Sequence, residues 1–231
     1  HYPGPVRDHT ERMLADMGAP VSWDAASSRV DGPVSHLRAP GDGALAVPGD
    51  LSGAAFVLAA AVLVTGSRVR IDRVGINPGR TGILDVLARM GADVHVAEAA
   101  TAGREPTATL VVGEARRARV GGRASGREGV VSGRSQIARP DGGASAGTVC
   151  SGEDDRHMPG VEIAGALVPR TVDELPLVAV LACAARGRTV VRDAAELRVK
   201  ESDRIAAIVD GLARMGARIE ARGDGFVVDG P

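Results

Sequence analysis

Aromatic side chains are nearly missing from this sequence: one Trp, one Tyr and two Phe make up 2% of 231 residues. Proteins that hold single-stranded nucleic acid stack bases on aromatic platforms, so that class is not expected. The core has to be built from Ala, Val, Leu and Ile in a chain that is 44% hydrophobic. An excess of one charge is also lacking, with a formal net charge of −1 and 25% charged residues. No global field draws such a chain to nucleic acid or membrane, and a charged partner has to be met locally. The two cysteines, Cys150 and Cys183, stand in unlike surroundings and give neither a disulfide framework nor a zinc spacing. Cys150, Asp154 and His157 match no compact ligand pattern, so no metal is expected. The longest apolar run, AAFVLAAAVLV from Ala54 to Val64, is about half the length needed to cross a bilayer and reads as a buried helix. With no signal-peptide pattern in view, a cytoplasmic protein is expected. The chain opens without Met, almost directly on a helical pattern, as a fragment would.

What is present is repetition. HTERMLADMGAPVSW, RTGILDVLARMGADVHV and RIAAIVDGLARMGARIEA share one grammar: an amphipathic helix, Met-Gly-Ala, then an alternating strand. Ile205, Ile208, Val209, Leu212 and Met215 fall on one helical face, as do Ile83, Leu84, Leu87 and Met90. Gly18, Gly91 and Gly216 stand where a helix ends in a left-handed residue. Upstream, GDLSGAAFVLAAAVLVTGSRVRID and VDELPLVAVLACAARGRTVVRD are each a carboxylate-led apolar helix, a Gly stop and a Val-rich strand. Asp50 and Asp173, Arg80 and Arg204, and Met90 and Met215 are separated by about 123 residues, which marks a duplicated unit. The fold class is α/β, each unit having an enclosed apolar helix and an outer amphipathic one. Strands are expected at TATLVVG and at VEIAGALV. The Gly/Arg/Ser-rich run over 116–159 reads as a disordered surface insertion.

The two copies differ at the entrance to the amphipathic helix, where one reads INPGRTGI and the other RVKESDRIAA. Pro78, Gly79 and Thr81 are ordinary turn and capping residues, so the fold does not require the four charges of Lys200, Glu201, Asp203 and Arg204. Solvation with capping is the plain reading of that run. Lys200 and Arg204 beside free N–H groups at a helix start would otherwise bind phosphate or carboxylate. Glu201 would then exchange a proton as an anion arrives. Asp173 and Glu174 open the second apolar helix, as caps or as a partly desolvated base. His9 is a candidate substrate contact or a simple cap, and His36 and His95 read as surface residues.

RDHTERML, GDLSGAAF, INPGRTGILDVLARMGAD, VDELPLVAVLACAARGRT and ELRVKESDRIAAIVDGLARMGA together resemble the 5-enolpyruvylshikimate-3-phosphate synthase family of enolpyruvyl transferases. The resemblance implies an inside-out α/β barrel of repeated βαβαββ units in a two-domain protein, monomeric at full length. Residues 1–47 would be the tail of the first domain and 48–231 most of the second. It implies transfer of the enolpyruvyl group from phosphoenolpyruvate to shikimate 3-phosphate, without metal or organic cofactor. By position, Asp173 resembles the acceptor of the hydroxyl proton and Glu201 the group that gives and takes a proton at the methylene carbon. Lys200 resembles a shikimate 3-phosphate contact and Arg204 a phosphoenolpyruvate ligand, and Arg7 and His9 lie in a substrate-binding stretch. Val6 stands where the family usually has Ser or Thr, and Gly53 where it has a second Ser. Motifs of the other half of such an enzyme are absent, so this chain alone is expected to be inactive. The rivals are a UDP-N-acetylglucosamine enolpyruvyl transferase, whose reactive loop cysteine has no convincing counterpart, and a non-catalytic repeat domain.

Overall fold

A computed structural model describes residues 7–24, 27–34, 36–40, 43–113 and 158–231. The expected insertion over 116–159 lies outside the described residues except for its last two positions, and Cys150, Asp154 and His157 lie outside them altogether. The chain begins with α1 (His9–Asp16) and an antiparallel pair, β1 (Val21–Trp23) and β2 (Ser28–Val30). The first copy follows as α2 (Leu51–Leu63), β3 (Val69–Gly75), α3 (Gly82–Arg89), β4 (Val94–Ala102) and β5 (Glu105–Val112). The second is β6 (Glu162–Ile163), α4 (Leu167–Thr171), α5 (Leu175–Ala184), β7 (Arg188–Val191), a 3-10 turn (Ala195–Arg198), α6 (Arg204–Arg214), β8 (Arg218–Arg222) and β9 (Gly225–Asp229).

The duplication holds in three dimensions. In one sheet β5 lies between β3 and β4, antiparallel to both, and in the other β9 lies between β7 and β8 in the same way. β6 adds a parallel strand beside β7, and in the first copy a single parallel bridge, Gly49 to Val74, occupies the matching place. The segment VEIAGALV supplies less strand than its pattern suggests. Gly165 adopts a left-handed backbone (φ 59) after two paired residues, and Leu167 and Val168 go on to bury themselves in α4.

Leu175, Leu177, Val178, Ala179, Leu181 and Ala182 are buried along α5, which is enclosed over most of its surface and leaves Val180 exposed. On α2 the expected enclosure is reached on one face only: Leu51, Ala54, Ala55, Leu58, Ala59 and Ala61 are buried, while Phe56 is 66% and Val64 61% exposed. The amphipathic α3 buries Ile83, Val86 and Leu87, with Met90 at its end fully buried. Its counterpart Met215 departs from the expected apolar face and is 83% exposed: α6 fully buries Ile205, packs Ile208, Val209 and Leu212 partly buried against the core, and leaves Met215 beyond it. Gly91 and Gly216 follow these helices at φ 72 and 92, the left-handed stop read from the sequence.

Two close approaches fix how the copies and α1 sit. Gly82 opens α3 against α4 so tightly that a Cβ there would lie 1.9 Å from Thr171 Oγ1 and 2.7 Å from the Arg170 carbonyl carbon. Asp8 tethers α1: its carboxylate accepts hydrogen bonds from Arg12 Nε (2.8 Å), Trp23 Nε1 (2.9 Å) and Asn77 Nδ2 (2.7 Å). Burial raises the Asp8 pKa, but the bonds from Arg12, Asn77 and Trp23 and the charge of Arg12 outweigh it and hold the carboxyl well below the usual range.

Gly82→Ala should therefore destabilise the fold by about 1 to 3 kcal/mol through overpacking. Gly211→Ala should stabilise it by about 1 kcal/mol, since its added Cβ meets nothing within 4 Å on an exposed helix. Thermal melts of the two variants check the opposite signs. For Asp8 the folded pKa is depressed, so its stabilisation is complete above the ordinary value of 3.8 and is lost as pH falls below it. Urea midpoints measured across that range should fall more steeply with acid for the wild type than for Asp8→Asn.

Candidate functional site

The starts of the two apolar helices meet, and the same repeat position does two jobs there. Asp50 caps α2, its carboxylate accepting from Ser52 N at 3.1 Å and Gly53 N at 2.9 Å. Asp173, its counterpart, caps nothing: α5 begins at Leu175, and its N-cap residue is Glu174, whose side chain makes no capping bond. Instead Asp173 Oδ2 accepts from Arg7 Nη2 at 2.7 Å and from Arg80 Nη1 at 3.3 Å. Glu174 turns inward, 4% exposed, and its carboxylate accepts from the Ser52 hydroxyl at 2.5 Å. The same hydroxyl accepts from Arg80 Nη2 at 2.6 Å. Burial pushes the Glu174 pKa up, against the pull of the Ser52 hydrogen bond and the Arg80 charge, and the neighbouring Asp173 charge adds to the rise.

Arg80 reaches this place from the loop between β3 and α3. Asn77, 2% exposed, shapes that loop by accepting from Gly79 N at 2.9 Å and donating to Asp8. From the other side Arg170 Nε donates to the Pro78 carbonyl at 2.8 Å and Arg170 Nη2 to Thr81 Oγ1 at 2.7 Å. Thr81 stands at the helix start without capping it, in contrast to its expected role. His9 Nδ1 lies 2.8 Å from Glu105 Oε1, so His9 pairs across to β5 rather than capping α1. A cavity of about 420 Å³ opens beside these groups, lined by His9, Met13, Asp50, Asn77, Arg80 and Glu105 among others.

The charged run before α6 forms a second cluster. Asp203 caps the helix, accepting from Ala206 N at 2.9 Å and from Arg198 Nη1 at 2.7 Å. A carboxylate of the chain itself thus occupies the position where the sequence suggested an external anion. Lys200 Nζ donates to Glu196, and Arg204 Nη2 to Glu201 Oε2 at 2.8 Å. Glu201 is held below the usual carboxylate range by its own backbone N–H, then by the hydrogen bond and charge of Arg204. Its side chain is 83% exposed, against 35% for Arg204. Among the described residues, Asp173 and Glu201 share no ion-pair partner.

The structure therefore brings Arg7 to Asp173, keeps Lys200, Glu201 and Arg204 together at the second cluster, and sets His9 on the cavity wall. Arg80, Ser52, Asn77 and Glu105 were not singled out as site residues. Arg80 carried a signal, since it occupies the repeat position of Arg204. Cys183 is a structural thiol, donating to the Ala179 carbonyl at 3.2 Å with its pKa raised by burial. His95 pairs with Asp93 at 2.6 Å on the surface. Among the described residues, no three or more His, Cys, Asp or Glu side chains are grouped to hold a metal, and no helix is long and apolar enough to cross a membrane.

Residues 2–119 and 144–231 match the sequence model of EPSP synthase (3-phosphoshikimate 1-carboxyvinyltransferase). A 3-phosphoshikimate 1-carboxyvinyltransferase of Anaeromyxobacter sp. (strain K) is 44% identical over 229 residues, which is 99% of this chain and 42% of that protein. One from Bacillus subtilis (strain 168) is 37% identical over 228 residues, 99% of this chain and 43% of that protein. An EPSP synthase structure from Acinetobacter baumannii superposes with a TM-score of 0.73 at 33% identity, covering 99% of this chain and 41% of that one. The chain thus spans about two fifths of the length of the curated relatives it matches, and it shares the inside-out α/β fold of repeated units. With this match running over both copies of the repeated unit, the chain belongs to the EPSP synthase (3-phosphoshikimate 1-carboxyvinyltransferase) family.

Proposed function

We propose that the whole protein transfers the enolpyruvyl group of phosphoenolpyruvate to the 5-hydroxyl of shikimate 3-phosphate and releases phosphate. Residues 1–47 are read as the tail of one domain and 48–231 as most of the other. The observation that carries the reading is the fate of Asp173: at a position where its repeat counterpart serves as a helix cap, it is held between two guanidinium groups instead. A carboxylate kept out of the backbone's service is available to a substrate.

In this reading Asp173 accepts the proton of the attacking hydroxyl as its oxygen bonds to C2 of phosphoenolpyruvate, and Glu201 delivers a proton to C3. The tetrahedral adduct then expels phosphate while Glu201 takes a proton back from C3, which restores the double bond. Glu201 starts ionised because Arg204 pairs with it. An anionic substrate that engages Arg204 removes that partner and raises the Glu201 pKa, so proton uptake is linked to substrate arrival. Lys200, Arg204, Arg7 and His9 are the substrate-binding groups of this scheme. The ion pairs Lys200 makes with Glu196 and Arg204 with Glu201 keep the cations ordered and exchangeable for substrate anions.

In the full-length protein, Asp173→Asn and Glu201→Gln should each lower kcat by about 100-fold to 10,000-fold, the usual range for a positioned acid or base. Shikimate 3-phosphate should still bind both variants by calorimetric titration. Turnover at the wild-type rate in Asp173→Asn, or heat with the UDP-sugar in place of shikimate 3-phosphate, would remove the assignment. The 231-residue chain by itself is expected to show no turnover with the two substrates.

A further inference from the structure

Arg80 belongs to the first copy, yet two of its contacts lie at the start of the second copy's apolar helix or lead there. Its guanidinium bridges four groups: Asp50 Oδ1 at 3.7 Å and Ser52 Oγ at 2.6 Å on the α2 side, Asp173 Oδ2 at 3.3 Å on the α5 side, and Glu174 through the Ser52 hydroxyl. Only 20% of the Arg80 side chain is exposed. Its loop is fixed on both flanks, by the buried Asn77 and by Arg170. A long cation gains from this arrangement because a rigid planar fork can hold two acceptors at once, which a lysine ammonium on a flexible stem cannot do in the same geometry.

The two carboxylates of the second copy are sorted by that hold. Glu174 is drawn inward by the Ser52 hydroxyl, whose orientation is set by the donor Arg80 Nη2. Asp173, 31% exposed along its side chain, is left facing outward with Arg80 on one side and Arg7 on the other. The charged groups around Asp173 are thus Arg7, Arg80, Glu174 and, beyond Arg80, Asp50. Without Arg80, Asp173 would keep Arg7 as its cationic partner, whose side chain is 40% exposed and screened by water, and Asp50 would lose its ion pair. The second copy uses the equivalent arginine differently, since Arg204 pairs within its own segment with Glu201.

We propose that Arg80, with Ser52 as its bridge, is the positioning residue for Asp173: it orients that carboxylate toward the substrate hydroxyl. The assignment rests on the reading that Asp173 is the base. Arg80 touches no substrate in this scheme and acts through the carboxylate, so its loss should appear in the chemical step rather than in binding.

The test compares Arg80→Ala, Arg80→Lys and Asp173→Asn in the full-length protein, by kcat and KM for both substrates. Arg80→Ala should lower kcat by about 10-fold to 100-fold, the scale of a misplaced catalytic group, and leave KM within about threefold. Arg80→Lys keeps the charge and loses the fork, so kcat should fall there as well while KM stays in place. Guanidinium ion at low millimolar concentration should partly restore kcat to Arg80→Ala. A role confined to stability would lower Tm and the active fraction while leaving kcat per folded site at the wild-type value and unresponsive to guanidinium, and that result overturns the proposal. Should Arg80→Ala fail to fold, a wild-type kcat in Arg80→Lys overturns it equally. If Asp173→Asn retains full activity, the functional reading itself has failed; if Asp173→Asn is inactive while Arg80→Ala keeps the wild-type rate, the positioning role alone has failed.

Discussion

Two helices without a polar face have to share their burial, and this constraint organises the molecule. α2 and α5 pack against each other and against the sheets of their own copies, so a single core runs through both. Once they lie side by side, their first residues are neighbours although about 122 positions separate Ser52 from Glu174 in sequence. The acidic start of each helix, Asp50 in one and Asp173 with Glu174 in the other, then falls in one small volume. The cations Arg80 and Arg7 answer that concentration of negative charge. The candidate site is in this sense a by-product of core packing, with electrostatics supplied by loops.

Duplication lets one scaffold position take on separate work. A helix start needs its free N–H groups satisfied, and in the first copy Asp50 does so directly. In the second copy Pro176 follows closely on the helix start and removes one of the donors that would need a cap, so Asp173 is not required there. The amphipathic helices show the reverse division. Asp203 caps α6 from within the charged run, while Thr81 leaves α3 uncapped and serves Arg170 instead. Each copy keeps the backbone plan and reassigns the polar side chains around it.

Much of the fold was legible because it follows from periodicity. The helix spacings, the Gly stops after Met17, Met90 and Met215, and the offset between copies are local patterns that sequence carries openly. What escaped were outcomes decided by distant packing. VEIAGALV has the composition of a strand, but Gly165 turns it after two paired residues. Met215 has the spacing of a core residue and ends in water, since spacing identifies a face without saying what covers it. At the site, Asp173, Glu174 and the run from Lys200 to Arg204 could be named from their density of charge. Ser52 and Asn77 could not, as single polar residues in turn and capping contexts look alike until the chain folds, and Arg80 is marked only by sharing the repeat position of Arg204. The capping reading of the charged run holds at Asp203, which fills the helix start that the alternative reading kept for an external anion.

The half-uncovered α2 has one more implication. Phe56, Val57, Leu63 and Val64 present a continuous apolar stripe to water, on a helix whose opposite side is fully packed. Repeat proteins expose such a surface wherever a neighbouring unit is not in place to seal it. Water bordering that stripe carries a free-energy cost that contact with another apolar surface would remove.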